Sequence, residues 1–258
     1  MEESARLRTS LAQAIAIKAA SSGLRKTCSA QDCTMRTLAI GDIHGCSTAL
    51  RTLLDAVQPR AEDLLVTLGD YIDRGPDSRG VIETLLDLET RTSLIPLTGN
   101  HEILLFDAIA GLIGTASWEG IGGLQTLHSY GSTCLKRDLI PDSHMDFFKR
   151  CRRLHETATH IFVHANLNAM LPLDEQSDDW LFWTRFTKAY PHVSGKTMVC
   201  GHTAQNNGLP ARMPHALCID TGVYHPEGWL TCLDVGAGTF TQANERGQLR
   251  RGSLDDLV

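Results

Sequence analysis

Short apolar runs alternate with amphipathic stretches along most of this chain. Residues 37–40, 64–68 and 94–98 are brief hydrophobic runs that each close on a glycine-containing turn, which predicts strands. Apolar positions of helical period follow each run, at 47–57, 78–88 and 102–109. Gly41, Gly69 and Gly99 punctuate the strand ends at intervals of roughly 30 residues, the length of one βαβ unit. A more helical insertion is expected over 111–154, including 122–130 and 144–154. Strand-like runs return at 160–164, 197–201, 216–220 and 230–235. No internal repeat, low-complexity tract or linker interrupts this rhythm, so 35–258 reads as one α/β domain.

Residues 1–34 follow a different rule. They are rich in Ala, Ser, Thr and Arg, lack aromatics, and predict at most a loose helix over 5–20. At Met35 the composition changes abruptly to a strand-forming sequence, and 1–34 are therefore expected to be a peripheral extension.

Composition narrows the class. The chain has 258 residues, 42% of them apolar and 21% charged, as a globular enzyme does. Its net charge of −6 disfavours nucleic-acid and anionic-membrane partners, and an anionic substrate would need local cations to reverse the field. Eight cysteines are scattered without a CxxC pair, which suits a reducing cytosol and a cytoplasmic location rather than a disulfide scaffold. No apolar run reaches membrane-spanning length, and no signal-peptide pattern stands out at 11–20.

Three loops carry the candidate chemistry: Gly41-Asp42-Ile43-His44-Gly45, Gly69-Asp70-Tyr71-Ile72-Asp73-Arg74-Gly75 and Gly99-Asn100-His101-Glu102. Each leaves a predicted strand through a glycine and then presents a carboxylate, amide or imidazole. In open α/β sheets ligands bind at those carboxyl ends. His164 and His202 close two later strands. Alone, a Gly-Asp after a strand is a turn and a histidine in a strand is a core residue. Five such loops in one order are a constellation, and its mixed oxygen and nitrogen donors suit manganese, iron or zinc better than calcium.

These motifs resemble the calcineurin-like metallophosphoesterases, and within them the PPP-type serine/threonine protein phosphatases of the compact bacterial and phage kind. The resemblance spans roughly 36–235. It implies a four-layer α/β architecture, a central β-sandwich flanked by helices, with a two-metal site at the strand ends. It also implies Asp42, His44 and a bridging Asp70 for one divalent cation, and Asp70, Asn100, His164 and His202 for the other. Water activated between the cations would attack phosphorus in line. By the same resemblance His101 is the general acid and Asp73 its hydrogen-bond partner. Arg74 and Arg185, with Asn100 and His101, would bind the phosphate.

The expected function is thus phosphoserine or phosphothreonine hydrolysis on a phosphoprotein or phosphopeptide. The enzymatic alternative is a symmetrical diadenosine tetraphosphate hydrolase. Such enzymes share Gly-Asp-x-His-Gly, often followed by a cysteine like Cys46. Their second loop usually lacks the Asp-Arg pair, and their third commonly ends in Asp where this chain has Glu102. A catalytically silent binding module is the remote alternative, opposed by the presence of every expected ligand. Asn166 and Ile121 depart from the family pattern at positions beside the cleft, which leaves substrate recognition open.

Overall fold

A computed structural model describes residues 35–136 and 138–257; the extension 1–34, with its expected helix, lies outside the described residues. Two sheets form the frame. In the first, β1 (Thr37–Ile40), β2 (Leu64–Thr67) and β3 (Ser93–Pro96) run parallel. β1 also pairs antiparallel with β10 (Trp229–Asp234), which continues into β11 (Thr239–Ala243) and β12 (Leu249–Ser253). The short β9 (Asp220–Thr221) joins the same sheet through β10. In the second sheet β5 (His160–Val163), β6 (Thr197–Cys200) and β8 (Ala216–Cys218) run parallel. The edge strands β4 (Leu154–Glu156) and β7 (Ala211–Met213) are antiparallel to them.

Side-chain alternation explains why these sheets stack. Ala39, Val66, Phe162, Val199, Leu217 and Leu233 share one buried cluster, drawn from the facing sides of both sheets. Their neighbours Leu38, Ile40, Leu65 and Cys232 point the other way, onto helices α1 (Ser47–Val57), α2 (Ser78–Glu89) and α6 (Asp142–Arg150). The outer face of the second sheet carries Ile161, Val163, Met198 and Cys200. Leu167, Leu181, Phe182 and Phe186 cover it, from loops and one-turn helices rather than long ones. The layering is therefore the expected one, with a thick helical flank on one side and a thin, loop-built flank on the other.

Most expected elements form within a residue or two. Helix α3 (Asn100–Ala110) begins earlier than its apolar periodicity suggested, because Glu102 at its third position accepts the Gly99 N–H at 2.9 Å and starts the first turn there. The insertion holds α4 (Thr115–Trp118), a wide turn over Glu119–Gly123 and α5 (Leu124–Ser129). Its last helix stops at Arg150, so Leu154 lies in β4 rather than in a helix. The six described cysteines are all free. No described helix is long and apolar enough to cross a membrane.

Candidate metal centre

The parallel strands of both sheets end at one edge. β1, β2 and β3 feed the loops of Asp42–His44, Asp70–Arg74 and Asn100, while β5, β6 and β8 lead into His164, His202 and Asp220. Asp42, His44, Asp70, Asp73, Asn100, His101, His164 and Asp220 are all buried there. Backbone strain marks the same place. His44, Asp70, Asp73, Arg74 and His202 adopt positive φ, and the only other described non-glycine residue to do so is Gln58. Left-handed backbone at such residues costs on the order of 1–3 kcal/mol each and persists only where the surroundings impose it. Close approach matters as well: a side chain at Gly99 would run into the Asp70 carboxylate, and one at Gly201 into that of Asp42.

Two groups of potential ligand atoms converge on Asp70. One comprises His44, Asp70 and His101, the other Asp70, His164 and His202. Asp70 Oδ2 faces His44 Nε2 at 3.5 Å and His101 Nε2 at 3.9 Å, while its Oδ1 faces His164 Nε2 at 3.5 Å. Asn100 Oδ1 lies 2.9 Å from both His164 Nε2 and His202 Nδ1. Asp42 stands just behind, its carboxylate accepting the His202 backbone N–H at 3.0 Å.

Outer hydrogen bonds decide which ring atoms face inward. His44 Nδ1 donates to the Ile72 carbonyl at 3.0 Å, and His164 Nδ1 to that of Leu68 at 2.9 Å. His202 Nε2 donates to the Trp183 carbonyl at 3.2 Å. Carbonyls only accept, so the inward nitrogens of these neutral rings carry lone pairs. Burial pushes all three imidazoles down, His202 to about 4. Lone pairs of His164 and His202 therefore point at Asn100 Oδ1, itself an acceptor. Such an arrangement fits a bound cation and disfavours a dry polar core.

The acids show the same fit. Burial raises the Asp42 carboxyl, as do the nearby Asp220 and Asp70 charges, and Asp220 is raised to about 6 chiefly by burial. Burial opposes the charge on Asp70 too, yet His164, His101 and His44 outweigh it and hold this carboxyl below its usual range. Crowded buried carboxylates are costly without compensating positive charge, and divalent cations would supply it.

Beside these groups lies a second unit. His101 Nδ1 donates to Asp73 Oδ2 at 2.7 Å, and Trp118 Nε1 donates to the same oxygen at 3.0 Å. Thr126 Oγ1 donates to Asp73 Oδ1 at 2.7 Å. Burial lowers the His101 imidazole, but the Asp70 and Asp73 carboxylates more than offset it and raise it above its ordinary value. Arg74 donates to His44 Nε2 at 2.9 Å and lies over the Tyr224 ring, 4.5 Å from its centroid. Arg185 stands apart, in the lining of a neighbouring cavity, close enough that its charge contributes to lowering His202.

Sequence reasoning passed over several of these residues. Asp220 is legible as the end of a strand-like run, but nothing in the sequence gives its carboxylate a role beside the cluster. Trp118 and Thr126 lie in the insertion, far along the chain from Asp73, and only the fold brings them together. Glu102 was recognised as a motif letter. Here it is a buried strut that accepts backbone N–H groups of Asp70, Tyr71 and Gly99, each at 2.9 Å. Burial and the Asp70 charge raise its pKa to about 8.

A buried carboxylate and imidazole cluster at the meeting edge of two mixed sheets is a candidate metal-binding centre. The sequence model of calcineurin-like phosphoesterases matches residues 35–206, and the chain belongs to that family. Among curated relatives, the symmetrical bis(5'-nucleosyl)-tetraphosphatase of Nitrosomonas europaea is 30% identical over 134 residues, 52% of this chain and 45% of that protein. Serine/threonine-protein phosphatase 1 of Salmonella typhimurium is 33% identical over 136 residues, 50% of this chain and 58% of that protein. The chain thus spans about half the length of the curated relatives it matches. Among solved structures, a proposed diadenosine tetraphosphatase aligns with a TM-score of 0.62 at 23% identity, covering 86% of this chain and 95% of that one. The cold-active protein-tyrosine phosphatase of a Shewanella species aligns at 0.59 and 16%, covering 84% and 80%. At those identities the likeness is one of fold.

Proposed function

We propose that this hydrolase cleaves dinucleoside polyphosphates of the diadenosine tetraphosphate type. The pair of ligand groups sharing Asp70 carries the reaction class, and several relatives named as symmetrical bis(5'-nucleosyl)-tetraphosphatases support the substrate. Asp42, His44 and Asp70 would hold one divalent cation; Asp70, Asn100, His164 and His202 would hold the other. When bound, such cations neutralise phosphate charge and make water nucleophilic near neutral pH. Manganese is the first ion to supply in an assay, with iron or zinc as alternatives, since availability governs which is taken up.

The protein's own groups do the rest. His101 presents Nε2–H to the reacting phosphate and gives its proton to the departing oxygen. Cations on Asp70 would cancel part of that residue's pull on the imidazole, so Asp73 remains the partner that keeps the proton in place. Arg74 and Arg185 bind phosphoryl oxygens, Arg74 once it leaves His44; the planar guanidinium suits paired oxygens. Asn100 adds an amide to the same side.

A second reading, phosphoserine or phosphothreonine hydrolysis, is favoured by the Asp73-Arg74 pair, by Glu102 and by the Salmonella relative. The two readings share the metal chemistry and part at the leaving group. The discriminating measurement is kcat/KM with manganese on diadenosine tetraphosphate and on a phosphothreonine peptide, in parallel. A dinucleotide preference of tenfold or more supports the first reading, and the opposite preference replaces it with the second.

A further inference from the structure

The thin flank of the second sheet holds a cavity of about 700 Å³ between residues 166–170 and 180–191. That size lies within the usual span of small-ligand pockets. Its apolar lining includes Leu167, Met170, Trp180 and Tyr190. Met170 is 76% exposed and Tyr190 68%, and Trp183 and Val193 add exposed apolar surface nearby in the chain. Such a cluster marks a binding surface more than a folding need.

Charge gives the ligand its sign. Arg185 and Lys188 line the cavity and no carboxylate does, although the chain carries a net charge of −6. Neither side chain has a hydrogen-bonding or ionic partner among the described residues. Position gives it a role. Asn166, two residues beyond His164, donates from Nδ2 to the Arg185 carbonyl at 3.1 Å and so fixes the arginine's backbone. The Trp183 carbonyl meanwhile accepts from His202 at 3.2 Å. One wall of the cavity is therefore continuous with the ligand loops.

We propose that this cavity is the subsite for the nucleoside part of the substrate, with the base against Tyr190 and Trp180 and its phosphates against Lys188 and Arg185. The proposal rests on the dinucleotide reading above and specifies which residues recognise the nucleoside. Stacking on aromatic side chains accommodates any base because every base offers a π-face. Cationic side chains and aromatic planes in one lining suit a phosphorylated nucleoside. A phosphopeptide would use the cations and leave the aromatic planes without a required partner.

The test uses the full chain with manganese, and AMP against ribose 5-phosphate as probes, by isothermal titration. AMP should bind about tenfold more tightly, and Tyr190→Ala should bring it close to the base-free probe. Lys188→Glu should weaken both probes. Both substitutions are at exposed positions, so an unchanged melting temperature confirms that each variant is folded. Equal binding of the two probes to the unsubstituted chain overturns the proposal, as does unchanged AMP binding in both variants. If AMP shows these preferences but diadenosine tetraphosphate is not cleaved, the function falls and the subsite stands. If it is cleaved and Tyr190→Ala leaves its KM unchanged, the subsite falls and the function stands.

Discussion

Asp73 receives donors on both carboxylate oxygens, from His101, Trp118 and Thr126. A carboxylate so held cannot rotate away from the imidazole, and the geometry assigns Trp118 to positioning rather than to substrate contact. Trp118→Phe should retain both metals yet lower kcat about tenfold on an alkyl phosphate, with a smaller loss on an aryl phosphate, since only the poorer leaving group depends on the proton. Comparable losses on the two would assign Trp118 to packing alone. His101→Asn should show the same contrast more strongly. Asp70→Asn differs in kind: it removes the shared ligand, so metal analysis should find both sites depleted, and normal stoichiometry would contradict the ligand set proposed here.

At the level of elements, legibility followed local physics. β1 and α1 were readable to the residue because four apolar positions and an amphipathic period are local signals. β11 and β12 escaped notice because polar residues dominate Thr239–Ala243 and Leu249–Ser253, and their pairing partners hold them in place. The ligand loops were legible as motifs; the inward direction of each imidazole was not, since carbonyls of distant residues set it. Asp63 shows how one side chain ties elements together. It accepts from the Arg36 and Arg60 backbones and from the Arg36 guanidinium, linking the start of β1 to the turn before β2. Burial acts to raise its carboxyl, but Arg36 and those amides prevail and hold it below the ordinary value. Its folded pKa is depressed, so its stabilisation is present above about pH 4, the unfolded value, and is lost as pH falls through the folded value. Comparing Asp63→Asn with the unsubstituted chain by urea unfolding from pH 7 downward should show a gap that narrows below about pH 4. A gap constant with pH would refute the assignment.

For the whole molecule, the interface between the sheets and the metal centre are one assembly problem. Phe162 is buried between the sheets, and Phe162→Ala should cost about 3–5 kcal/mol in denaturant unfolding. The proposed ligand residues come from both sheets, so cations bound by them would tie the sandwich together at its edge. Metal at about a hundred times its Kd should stabilise by about 3 kcal/mol and raise Tm by roughly 5–10 °C. Chelation should reverse that shift, and a Tm indifferent to metal would argue against a site spanning both sheets.

The unequal flanks have an evolutionary consequence. Helices brace the sheet that supplies Asp42, Asp70 and Asn100, whereas the cavity at 166–191 is walled by loops and single turns. Insertions and exchanges in such loops disturb little backbone pairing, while the same changes beneath α1 or α2 would disrupt a packed core. Preference among phosphate compounds can therefore drift in the loops of one flank while the helix-braced sheet keeps Asp42, Asp70 and Asn100 in place; only changes that reach the Asn166–Arg185 or Trp183–His202 hydrogen bonds would disturb both.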